Sequence, residues 1–446
     1  MSRVTVNLTS LALWVLTLIC APGVYGDRTE AWHDYIAGQA TVLPTVDAVV
    51  ELLPALADRE LILLGETTHG THEYYTWRAA ISKALIEQAD FRFIAVEGDW
   101  AALDRLDRYV RHRDDEAASA RAVLRTFDRW AQWMWANPVI EELAEWLRAF
   151  NADRPPAARI GIHGIDVYGW GDSVALLPDV LSVLEPAWGT RAAEALTPLR
   201  RLGGDSQAFV QAAMRNQPTG ADKLERIHTR LRDEADTLRE TDPEAWMQAK
   251  QQTALIRQAK RHLRQSAQRH PHSWNPRAEN FMQTVERLRD YYGEGARGVV
   301  WAHNTHIGDA RYTPMGMSGL ITIGQRARER LGENNVFLLG FASDTGDFRA
   351  GRHWGGPGTV IPLPTAIAGT LDAFLRDAIP DAPAYFVPLA GARDREALME
   401  ATGHRAVGIV HPPNARIEHS YVPSVIPRRY DGLLFIRATR ALDELE

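Results

Sequence analysis

The sequence carries one cysteine in 446 residues, Cys20, and that one lies inside an apolar run, LALWVLTLICA, over residues 11–21. Beyond that run the chain has no thiol. Disulfide frameworks, zinc held by cysteine and thiol nucleophiles are therefore excluded for the rest of the protein. An excess of positive charge is missing too. The net charge of −7 argues against a nucleic-acid footprint, which is basic. A membrane-spanning helix needs ~20 apolar residues, and no run after residue 21 approaches that. Familiar catalytic signatures are absent as well. There is no P-loop; HEYYT (His72–Thr76) lacks the second histidine of a zinc-protease helix, and GDSVA (Gly171–Ala175) lacks the last glycine of a nucleophile elbow. No internal repeat or low-complexity tract is present.

What is there begins at the N-terminus. Arg3 precedes the apolar run, and PGVYG follows it near a plausible cut after Gly26. This pattern predicts a secretory signal peptide over residues 1–26 and a secreted or periplasmic location for the mature chain.

After a polar linker near Asp27–Asp34, a helical stretch reaches Leu53. Strands are expected at Leu61–Gly65, Phe91–Glu97 and Arg159–Asp166, separated by helices at His72–Gln88, Trp100–Val110, Ala117–Phe127 and from Pro138 onward. Between about residues 179 and 293 helical patterns dominate. Lys250, Arg257, Lys260, Arg261 and Arg264 form a basic stripe there, read as a solvated helix face. Strands then return at Gly298, Asn335–Ser343, Ala384–Leu389, Ala406–Val410 and Leu433–Thr439. The alternation predicts an α/β fold: a central, mostly parallel sheet flanked by helices, with a large helical insertion, a cap, over 179–293.

Titratable residues gather where strands end. LILLG runs into Glu66, FRFIAV into Glu97, RIGIHGI into Asp166 and GVVWA into His303, with His306 three residues later and His69 three residues after Glu66. Ligands of open α/β sheets bind outside the carboxyl ends of the strands. Asp166 suits helix capping equally well, whereas Glu66, His69 and Glu97 are not residues that caps prefer. Arg78 follows His69 by nine residues, a spacing that puts them on opposite faces of one helix. His69 must then lie in the turn before the helix if both serve one site; otherwise Arg78 is a surface residue. Trp130, Trp133 and Trp135 read as packing, or as a flat apolar wall for a large ligand.

Together GETTHGTHE (Gly65–Glu73), AVEGDW (Ala95–Trp100), WMWANP (Trp133–Pro138), GIDVYG (Gly164–Gly169), WAHNTHIGDAR (Trp301–Arg311) and YDGLLFIRATRA (Tyr430–Ala441) resemble the erythromycin esterase family. The resemblance covers nearly all of the mature chain, from about Leu61 to Ala441. It implies hydrolysis of a macrolide lactone or related ester by a histidine-activated water, without a metal or other cofactor, and a role in antibiotic resistance. It carries catalytic roles to Glu66, His69, Arg78, Glu97, His303 and His306, with His69 as general base. Trp133, Trp135 and Asp166 are the expected substrate contacts. A carboxylate beside an imidazole fixes its tautomer and raises its basicity; Glu66 and Glu97 both qualify. Arg78 and the His303/His306 pair are then expected at the oxyanion. The expected partner is a small-molecule ester or lactone, with no nucleic acid and no stable membrane insertion. Two other readings use the same residues. One is a hydrolase whose His/Glu cluster holds zinc or manganese. The other is a ligand-binding protein in which the His303/His306 pair ligates haem.

Overall fold

A computed structural model describes residues 22–113, 117–215 and 221–445. The predicted signal peptide therefore lies outside the described residues up to residue 21, and so does Cys20. No described helix is long and apolar enough to cross a membrane.

The strands are β1 (Thr41–Val42), β2 (Leu61–Leu64), β3 (Phe91–Asp99), β4 (Gly161–Asp166), β5 (Arg297–Trp301), β6 (Val336–Gly351), β7 (Gly358–Leu363), β8 (Ala384–Pro388), β9 (Thr402–Arg405), β10 (Tyr421–Ser424) and β11 (Gly432–Thr439). Among the described residues nine of them form one sheet in the order β1-β8-β11-β6-β2-β5-β3-β4, with β7 beside β6. The centre is parallel: β11 with β6, β6 with β2, β2 with β5 and β5 with β3. Strands β1 and β8, at one side of the sheet, and β7 beside β6 run antiparallel to their neighbours. All four residues of β2 are buried, as a parallel strand covered on both faces requires; hence the unbroken apolar run LILL. The fold is α/β, as expected.

The chain divides into two compact units. The division falls inside β3 and β4: Glu97–Asp104 and His163–Glu294 form a helical unit, while the stretch up to Val96, Arg105–Ile162 and Gly295–Glu446 form the sheet unit.

Local chemistry sets the helix ends. Helix His72–Ala89 stops at Asp90, which takes a left-handed φ of 52° and returns its N–H to Leu85 O; aspartate tolerates that conformation better than most residues. Helix Pro138–Asn151 starts with Asn137 accepting from Ile140 N and with proline in the first turn. Helix Pro243–Ala267 starts with Asp242 accepting from Glu244 N and Ala245 N.

Three expectations differ from the structure. The linker expected near Asp27–Asp34 belongs to helix Pro22–Gln39, because Trp32, Tyr35 and Ile36 form one buried helical face. The helix expected over Ala117–Phe127 is confined to Ala120–Leu124, capped by Ser119. The strand expected over Ala406–Val410 lies earlier, at Thr402–Arg405. Val407 and Val410 make only isolated bridges, to Thr68 and Gly351. Their apolar alternation serves to pin neighbouring loops, not to build a ladder.

Candidate active site

In the sheet unit, Glu66 stands two residues past β2. Gly65 lets it turn there: a Cβ on Gly65 would lie 2.0 Å from Asn304 Oδ1, so only glycine admits this approach. Asn304 N donates to Glu66 O at 2.9 Å. Its side chain clamps β6, donating Nδ2–H to Phe341 O at 2.8 Å and accepting from Phe341 N at 3.3 Å. Asn304 thus docks the end of β5 against the turn after β2.

The turn from Glu66 to Thr71 is held from several sides. Val407 N donates to Thr67 O at 2.7 Å. The Thr68 and Thr71 hydroxyls bond each other, and Thr67 Oγ1 and Ser343 Oγ both bond the Tyr74 hydroxyl. Gly70 O accepts from Arg349 N and Leu442 N. His69 sits in this turn, three residues before helix His72–Ala89 begins, which is the placement that the Arg78 spacing demands.

Glu66 joins the two. Its Oε1 lies 2.9 Å from His69 Nδ1, and its Oε2 accepts from Arg78 Nη2 at 2.8 Å. Because an ionised carboxylate only accepts, His69 Nδ1 carries the proton and the lone pair of the ring is on Nε2. Arg78 is wholly buried. Its Nε donates to Tyr74 O, and its guanidinium lies over Tyr75 and Trp301, with centroids at 4.5 and 5.1 Å. Arg78 Nη1 is buried and makes no hydrogen bond among the described residues; the two rings take the place of an acceptor. Tyr75 also donates its hydroxyl to His69 O at 3.0 Å, fixing the backbone that carries the imidazole.

His303 lies beside His69, with ring centroids 4.8 Å apart. Thr305 N donates to His303 Nδ1 at 3.2 Å, so Nε2 carries the proton and donates to Thr67 O, also at 3.2 Å. His306 is buried in the short helix Asn304–Ile307, with its N–H on His303 O.

Glu97 and Asp166 belong to the helical unit. Arg277 joins them there, donating Nε–H and Nη2–H to the two oxygens of Asp166 at 2.9 and 2.6 Å and Nη2–H to Glu97 Oε1 at 2.7 Å. Burial works to lower the Arg277 pKa, but Asp166 and Glu97 outweigh it and hold the guanidinium well above the ordinary arginine range. Asp166 does not cap the following helix, Trp170–Leu184, whose N-cap is Gly169. Trp133 and Trp135, in the sheet unit, are only 2% and 7% exposed, and Trp135 packs on Tyr75 with centroids 5.9 Å apart.

So within the sheet unit the structure brings Glu66, His69, Arg78 and His303 together, and within the helical unit Arg277 joins Glu97 to Asp166. Sequence reasoning missed Tyr75, Trp301, Asn304 and Arg277. Tyr75 carried a usable signal, being three residues before Arg78 on one helix and so on its face; Arg277 carried none. Among the described residues no three of His, Cys, Asp and Glu stand close enough to hold a metal ion.

A family model described as Erythromycin esterase matches residues 86–439. The chain belongs to the erythromycin esterase family. The family match contains Glu97, His303 and His306 and starts beyond Arg78. Three solved structures share the family member's fold. One is a protein from Bacillus cereus, 16% identical with a TM-score of 0.77, covering 93% of this chain and 98% of that one. Another is described as a succinoglycan biosynthesis protein, 18% identical with a TM-score of 0.74, covering 96% and 100%. The third is a mutant of the erythromycin esterase EreC in its open conformation, 15% identical with a TM-score of 0.67, covering 91% and 98%. At such identities the likeness is one of fold. Family membership makes the chain a hydrolase of esterase type acting on a small molecule.

Proposed function

We propose that this esterase opens a macrolide lactone or a related ester by metal-independent attack of water, with His69 as the general base. The observation that carries the reading is the 2.9 Å contact between Glu66 Oε1 and His69 Nδ1. Glu66 fixes the tautomer, and Nε2 takes a proton from water as the water oxygen bonds to the ester carbonyl carbon. When the tetrahedral intermediate collapses, the C–O bond to the leaving alcohol breaks and the alkoxide recovers that proton from the imidazolium. Glu66 stabilises the imidazolium in between, as the acidic member of a triad does.

Arg78 was expected at the oxyanion. Its complete burial and its bond to Glu66 support a positioning role instead. His303 suits the oxyanion better. Its Nε2–H makes a 3.2 Å bond to a neutral carbonyl, and a developing negative charge is the stronger acceptor. Glu97 and Asp166 are assigned to holding Arg277. With both Glu66 oxygens occupied by His69 and Arg78, the carboxylate is poorly disposed to ligate a metal, which favours the metal-independent reading. We place the mature enzyme outside the cytoplasm on the strength of its N-terminal pattern.

The test is turnover of erythromycin by the purified protein, read by mass spectrometry with and without a chelator. Gain of one water, insensitive to chelator and lost in a folded His69→Ala variant, is expected. Turnover retained in His69→Ala overturns the mechanism; loss with chelator restores the metal-dependent reading.

A further inference from the structure

The helical unit contains a cavity of about 470 Å³ that the hydrolytic reading does not use. It lies among helices Ala221–Asp233, Pro243–Ala267 and Asn275–Tyr292. Glu225 and His228 line it from the first, Arg257 and Arg261 from the second, and Arg287 from the third. Arg257 and Arg261 are four residues apart and so share one helix face. The rest of the lining is mostly glutamine. A cavity of this size suits a small molecule, and this lining suits a polar one.

Its charge is unbalanced. Arg257 donates Nε–H to Glu225 Oε1 at 2.6 Å. Arg287 bonds only neutral acceptors, Gln251 Oε1 at 2.5 Å and Thr284 Oγ1 at 3.1 Å. Among the described residues neither Arg287 nor Arg261 has a carboxylate at ion-pair distance. Three arginines against one glutamate leave two uncompensated positive charges on the lining. Burial lowers the Arg287 guanidinium to about 10, with Glu286 opposing, as expected for a cation short of counter-charge. His228 Nδ1 is buried and makes no hydrogen bond among the described residues.

We propose that this cavity is a binding site for a phosphate-class oxyanion, free or carried on a small polar molecule, held by Arg257, Arg261 and Arg287 with His228 beside them. A phosphate dianion matches the two open charges, and the planar guanidinium fork matches its oxygens. The basic stripe of helix Pro243–Ala267 is then only in part a solvated face. This site is independent of the Glu66–His69 chemistry.

The experiment is calorimetric titration of the full chain with inorganic phosphate and, separately, glucose 6-phosphate, alongside NMR of the histidine rings. Saturable binding with one site per chain is expected. The Arg261→Gln variant, altered at an exposed side chain and so expected to fold, should lose at least tenfold in affinity. Arg264→Gln removes the same charge from an exposed position off the cavity and should keep its affinity. His228 is now held below the ordinary histidine range by burial and then by Arg257, with Arg232 and Arg287 adding and Glu225 opposing; a bound anion should raise its pKa. Tighter binding of glucose 6-phosphate supports a phosphorylated metabolite as ligand, and tighter binding of inorganic phosphate supports the free ion. Equal weakening in both variants, or no saturable binding of either probe, overturns the proposal.

Discussion

One carboxylate connects the base to a buried cation: Glu66 lies 2.9 Å from His69 Nδ1 through Oε1 and 2.8 Å from Arg78 Nη2 through Oε2. The imidazole is therefore aimed by a group that is itself aimed. Glu66→Gln preserves the shape and removes the charge. It should lower kcat on an ester substrate by about 10²–10⁴-fold, the range of a general acid–base contribution, with KM little changed. A kcat within threefold of the parent would show that Glu66 does not act through His69.

Arg78→Met leaves the Glu66 carboxylate without its guanidinium in a buried site. Breaking a buried pair in this way typically costs about 3–5 kcal/mol, more than removing both charges together. The double variant Glu66→Gln/Arg78→Met should therefore be more stable than Arg78→Met alone, while remaining inactive. Chemical denaturation of the parent and three variants provides the cycle; simple additivity would contradict the coupling.

Gly70→Ala tests the turn that carries His69. A Cβ there would lie 2.1 Å from the carbonyl oxygen of Arg349, and backbone yields less than a side-chain tip. Overpacking of this kind costs about 1–3 kcal/mol, and the displacement is inherited by the neighbouring imidazole. The expected result is a loss of kcat larger than the loss of Tm would suggest, read by parallel kinetics and thermal melts.

His404 should make the fold acid-sensitive. Burial, ahead of the opposing pull of Asp372, lowers its pKa to about 4 from the ordinary 6.5. The unfolded chain takes up a proton below pH 6.5, whereas the native ring declines it until about pH 4, so stability is complete above 6.5 and falls as pH drops through that window. The shift corresponds to about 3 kcal/mol. In His404→Gln the amide keeps a donor for Phe341 O, which now accepts from His404 Nε2 at 3.0 Å, and the melting temperature should fall less between pH 6.5 and 4. An unchanged pH slope would show that His404 does not carry the effect.

Much of the fold was legible locally. LILL, FIAV and GVVW read as strands because a parallel strand buried on both faces needs an unbroken apolar run. Where apolar alternation served loops instead, at Val407 and Val410, the same signal misled, since periodicity does not say what a segment packs against. The candidate site was legible in part. Glu66 and His69 share one turn, so three residues of sequence suffice to bring them together. Arg78 was ambiguous, because helix spacing alone could not say whether the turn before His72 would fold back over it.

The sequence by itself determined the buried central strands, the helix ends at Asp90 and Asn137, and the presence of a carboxylate and an imidazole at the end of β2, all consequences of interactions within a few residues. Only the tertiary structure decided the partners. Asn304 reaches Gly65 because β5 lies beside β2 in the sheet. Arg277 takes Glu97 and Asp166 across separations of 180 and 111 residues. Such pairings follow from strand order and from which groups burial leaves within hydrogen-bond reach, and both are properties of the folded chain as a whole.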